Sequence, residues 1–86
     1  MIHAKLINII RYLDDPPRVI MTFENIDNPG TKFIHIDIYS LLRSKRITIN
    51  QKFVNGIQNK LQGQKFIIND DNTVFQLLER IQDCRS

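Results

Sequence analysis

The sequence predicts an α+β domain, a small antiparallel sheet built on a central β-hairpin and packed against amphipathic helices. Two runs at 18–25 and 32–39 alternate apolar and polar residues on either side of a "DNPG" turn. A later run, from Ile49 to Leu61, places its apolar residues at helical spacing. Eighty-six residues, 42% hydrophobic and 24% charged, can build one modest core but not two. A single domain over 1–86 is therefore expected.

The first segment is ambiguous in type. Ile2, Leu6, Ile9, Ile10 and Leu13 recur at helical spacing, which predicts a helix stopped by "DDPP" at Asp14–Pro17. A strand over "KLINIIRYL" competes, because isoleucine and tyrosine are good strand formers.

The hairpin can be tested by parity. Val19, Met21 and Phe23 share one side of the first strand, and Ile34, Ile36 and Ile38 share one side of the second. With Pro29 and Gly30 as the central residues of a type II turn, Phe23 faces Ile36 and Met21 faces Ile38, so both triplets share a side. The other side then pairs Glu24 with His35 and Thr22 with Asp37, flanked by Ile20, Phe33 and Tyr39. Two-residue hairpin loops prefer type I′ or II′ turns, so a longer loop remains open, and two more loop residues preserve the parity.

"YSLLRSKR" predicts a short helix. After it, Thr48 and Gln51 have capping-box spacing, and Ile49, Phe53, Ile57 and Leu61 step by four with Val54 widening the stripe. Gly63 stands where a helix C-terminus favours glycine. Winding this helix at about 100° per residue puts Gln51, Lys52, Asn55, Gln58, Asn59 and Gln62 on the far side. Gly56 costs about 1 kcal/mol against alanine inside a helix, so either a backbone packs closely there, which is the expectation, or the helix is simply less stable.

"KFII" reads as a strand and "NDDN" as a turn. Thr73 and Gln76 repeat the capping-box spacing, Val74, Leu77, Leu78 and Ile81 form an apolar face, and Asp70, Asp71, Arg80 and Arg85 match the helix dipole. A second helix follows. The alternative is that "KFII" pairs with "TVFQLL" as the wing of a winged-helix-like arrangement. "KFIHIDIYSLLR" and "KFIINDDNTVFQLLER" also echo one another as two strand-to-helix units.

Charge is distributed unevenly behind a net +3. No acidic residue lies between Asp37 and Asp70, while that interval holds Arg43, Lys45, Arg46, Lys52, Lys60 and Lys65. Both flanks are mildly acidic. Lysine and arginine contacts to phosphates release counterions, and asparagine and glutamine can pair with base edges. The expectation is a non-enzymatic binding or regulatory module that contacts nucleic acid through segment 38–69. Gln51, Lys52, Asn55 and Asn59 would face the groove, Arg43, Lys45 and Arg46 the backbone, and Lys60 and Lys65 would add charge.

Two other readings compete. Helix surfaces are commonly amide and lysine, and an AT-rich gene enriches asparagine and lysine, so the face can simply be solvated. Alternatively the chain is a protein-interaction adaptor or inhibitor. It would then hold an acidic protein, or a second copy of itself, by the basic helix or by Ile20, Phe33 and Tyr39. Exposed sheet aromatics could equally stack on single-stranded RNA bases.

Catalysis is not expected. The sequence has no glycine-rich phosphate loop or serine elbow, and Cys84 is its sole cysteine. Glu24, His35, Asp37 and His3 form the one conceivable metal or acid–base cluster, and a surface polar pair is the more ordinary role for them, so neither metal nor cofactor is expected. No apolar run approaches the ~20 residues of a membrane span, and "MIHAKLINII" lacks the pattern of a signal peptide, so an intracellular location is expected.

Overall fold

The computed structural model describes residues 2–69, 76–77 and 79–82. Its elements in chain order are β1 (Ile2–Tyr12), β2 (Arg18–Asn25), β3 (Ile34–Asp37), α1 (Tyr39–Ser44), α2 (Gln51–Leu61) and β4 (Lys65–Ile68). Residues 76–77 and 79–82 are helical. The strands form one antiparallel sheet in the order β3-β2-β1-β4. No described helix is long and apolar enough to cross a membrane.

β2 and β3 are the predicted hairpin, with the predicted parity and a register two residues away. Met21 pairs with Ile36 and Phe23 with Ile34, whereas the short-loop register had Met21 opposite Ile38 and Phe23 opposite Ile36. The type II turn is present: Gly30 has φ +92°, and the Thr31 amide reaches the Asn28 carbonyl at 3.4 Å. It sits off-centre in a longer loop. The Asn25 side chain shifts it, accepting from the amides of Asp27 and Asn28 at 3.0 and 3.3 Å before the Pro-Gly turn begins.

The first segment is a strand, which corrects the helix expected over Ile2–Leu13. A β-bulge explains the misleading spacing. Leu6 pairs with Phe23 and Asn8 with Thr22, so Ile7 is an extra residue. Ala4 and Leu6 are buried before the bulge and Ile9 after it, a change from even to odd positions that imitates the gaps of a helix. "DDPP" then forms the turn between β1 and β2, with a cis Asp15-Pro16 bond.

α1 and α2 form where expected, with changes at their ends. Asn50, not Thr48, caps α2: its side-chain oxygen accepts from the Phe53 amide at 2.8 Å. Ile49 and Val54 occupy the N′ and N4 positions of a hydrophobic staple. At the other end Gly63 takes φ +83°, as its place in the sequence implied. Val54, Ile57 and Leu61 are buried, and Phe53 and Ile49 pack against them. Gly56 is exposed and a Cβ there would meet nothing within 4 Å, so the close packing expected of it is absent.

The core lies between one sheet face and the helices. Val19, Met21 and Phe23 of β2 meet Ile38 and Leu42 around α1, the α2 stripe, Phe66 of β4, and Leu77 and Ile81. Phe23 and Phe66 touch edge to face, their ring centroids 5.5 Å apart. β4 pairs with β1, and Gln76 and Leu77 of "TVFQLL" are helical, so among the described residues the alternative wing does not form. Thr73, Asp70, Asp71, Val74, Leu78, Cys84 and Arg85 lie outside the described residues.

Candidate functional site

The acid-free segment does not make one surface. Lys65 pairs with Lys5 on the sheet face away from α2, next to Glu24. Lys60 is exposed in the last turn of α2, one helix length from the Arg43–Arg46 turn. Lys45 is exposed at the end of α1. On α2 itself Gln51, Lys52, Asn55 and Asn59 are exposed, with Gln51 donating to the Asn55 side chain at 2.9 Å.

Gln58 does not belong to that amide face. Its Oε1 accepts the Ile9 amide at 2.7 Å, beyond the point where β4 stops pairing with β1. The reason is periodic: 54, 58 and 61 are spaced by four and three, so Gln58 shares the side of Val54 and Leu61. It supplies a ladder acceptor that β4 is too short to give.

Arg43 and Arg46 instead join residues from far away in the chain. Together with Arg11 and Arg18 they line an open cleft of about 650 Å³ between the β1–β2 turn and the α1–α2 connection. That volume falls in the ~300–1,000 Å³ range of small-molecule pockets. Arg11 pairs with Val19 and so lies on the helix-covered side of the sheet, while Arg18 pairs with Tyr12 on the other side. The cleft therefore wraps the end of the sheet. Tyr12 and Tyr39 also line it.

Among the described residues Asp14 is the sole carboxylate of the lining, against four guanidiniums. It pairs with Arg18 at 2.6 Å, and both are exposed enough for the pair to contribute at most about 1 kcal/mol. No ion pair among the described residues engages Arg11, Arg43 or Arg46. Nearby, Asp37 Oδ1 accepts the Tyr39 amide at 3.0 Å and the Val19 amide at 3.3 Å. Its oxygen is occupied in starting α1. The arginine that remains in excess focuses positive potential into a concave site.

Arg18 lies over the Tyr12 ring, whereas Arg43 donates to the Tyr39 hydroxyl at 3.4 Å. The Arg18 guanidinium lies 4.7 Å from the Tyr12 centroid, and the Arg43 guanidinium 6.0 Å from that of Tyr39. Arg46 is held differently. The Arg46 amide bonds the Arg43 carbonyl at 3.0 Å and the Ile47 amide the Leu42 carbonyl at 3.1 Å, which is a Schellman ending to α1. Arg46 fills its left-handed position with φ +57°, a place that favours glycine.

Ile20, Phe33 and Tyr39 are not gathered into one patch. Ile20 lies half-buried on the open sheet face between Ile10 and Asp37, Phe33 is 54% exposed in the β2–β3 loop, and Tyr39 belongs to the cleft. The polar cluster is dispersed as well. His35 Nδ1 lies 3.1 Å from Thr22 Oγ1, Glu24 is opposite Lys5, and His3 is opposite Ile67. Among the described residues no three His, Cys, Asp or Glu side chains are grouped to hold a metal.

Sequence reasoning missed Arg11, Tyr12 and Arg18. A charge tally over the first 37 residues absorbed both arginines into an acidic average, and a helix over Ile2–Leu13 left no reason to pair Tyr12 with Arg18. The available signal was an "RY" and an "R" five residues apart across "LDDPP", the turn of a hairpin. No protein-family model, curated protein or solved structure matches this chain.

Proposed function

We propose that this protein is a non-enzymatic nucleic-acid-binding module whose contact surface is the arginine cleft, with the amide face of α2 as solvated surface. The observation that carries the reading is the convergence of Arg11, Arg18, Arg43 and Arg46 with Tyr12 and Tyr39 on one open cleft. Guanidinium groups bind phosphate through paired N–H donors, and three of the four form no ion pair among the described residues.

The test is fluorescence anisotropy of a labelled oligonucleotide, single-stranded and duplex, at two salt concentrations. If about three phosphates are engaged, affinity for a single strand falls on the order of tenfold between about 50 and about 200 mM salt. No binding to either form at the lower salt, or binding indifferent to salt, overturns the reading.

A further inference from the structure

We infer that the cleft accepts one unstacked nucleotide of a single strand, its phosphate held by Arg11 and Arg46 and its base laid on the Arg18–Tyr12 layer. The inference rests on the nucleic-acid reading above and narrows it to single strands. Two features of the cleft are superfluous for a duplex backbone and useful for an extruded base.

The first is flatness. Arg18 lies over the Tyr12 ring, 4.7 Å from guanidinium carbon to ring centroid, while Arg43 sits at the edge of Tyr39 and donates to its hydroxyl at 3.4 Å, and all four residues are in the lining. Bases freed from a helix stack on aromatic rings and on guanidinium planes alike. A duplex keeps its base faces covered by neighbouring bases and presents phosphates, for which unstacked lysines would serve. The cleft volume of about 650 Å³ falls in the range of pockets that take a small molecule.

The second is the strain at Arg46. A left-handed conformation costs a residue with a side chain roughly 1–2 kcal/mol, which glycine avoids. The Schellman hydrogen bonds and the burial of Leu42 and Ile47 on either side hold the backbone in that state. A residue kept where glycine would be more stable, and lining a cationic cleft, fits a side chain retained for its charge. One charge fixed at the base of the cleft suits one phosphate, with Arg11 entering from the sheet.

The test compares three ligands of equal length on the unmodified protein: oligothymidylate, an abasic strand with the same phosphates, and a hairpin duplex. Oligothymidylate should bind about tenfold or more tighter than the abasic strand, the scale of one stacked base. Tyr12→Ala should weaken oligothymidylate more than the abasic strand and so shrink that ratio, and Arg46→Gly should weaken both strands. Equal affinity for thymidylate and abasic strands, or a preference for the duplex, overturns the stacked-base inference and leaves the nucleic-acid reading standing. Failure of all three ligands to bind overturns both.

Discussion

The two basic regions of this protein differ in how they are assembled. The α2 face is contiguous: Gln51, Lys52, Asn55 and Asn59 follow one another on one helix and point to solvent. The cleft is composite, drawing Arg11, Arg18, Arg43 and Arg46 from two strands and from the α1 ending. Of these four side chains only Lys52 is charged, and on a convex helix face that single charge stays hydrated. Charges gathered across a concave turn act on the same ligand. Convergence, not density along the chain, marks the better candidate for anion binding.

The largest effect should separate the two regions directly. Arg43→Glu with Arg46→Glu should lower oligonucleotide affinity on the order of 100-fold, against no more than about threefold for Lys52→Glu with Asn55→Glu. Anisotropy titrations of the two double variants check this. The opposite ranking would return the binding surface to α2.

Next comes the amide that looks solvated in the sequence and is not. Gln58→Ala leaves the Ile9 amide without its acceptor and should cost about 1–3 kcal/mol in urea unfolding. Its neighbour Asn59→Ala, on the exposed face, should stay within about 0.5 kcal/mol. If the two variants unfold alike, Gln58 is no more structural than the rest of that face.

Arg46→Gly sharpens the contrast from the other side. Releasing the strained position should stabilise the fold by about 1 kcal/mol, raising Tm by roughly 4–8 °C, while oligonucleotide affinity falls severalfold. A variant that is both more stable and binds as well as the parent would show that Arg46 has no part in the cleft. The smallest change belongs to α2: Gly56→Ala should add up to about 1 kcal/mol, because its Cβ meets open space, with affinity unaltered. A loss of stability there would mean the position is crowded after all.

Much of the fold was legible because local and long-range signals agreed. Alternation in β2 and β3 fixed their parity, and the four-residue stepping of Ile49, Phe53, Ile57 and Leu61 gave α2 and its buried side. β1 was illegible for one physical reason. Its bulge breaks the period of two on which strands are recognised, and no residue type announces it. That error carried into the site. Arg43 and Arg46 were visible as cations on a turn, whereas Tyr12 and Arg18 become neighbours only when β1 pairs with β2.

The extra residue in β1 also bears on how such a gene could vary. An in-frame loss of codon 7 would remove the unpaired position and let Leu6 and Asn8 continue one regular ladder against Phe23 and Thr22. Ala4, Leu6, Ile9 and Arg11 would keep their present side, and His3, Lys5, Asn8, Ile10 and Tyr12 theirs. An Ile7 deletion should therefore fold with the cleft intact, measurable as a retained far-ultraviolet spectrum and oligonucleotide affinity. A shorter cousin of this protein would display its strand openly, with a plain alternation from end to end.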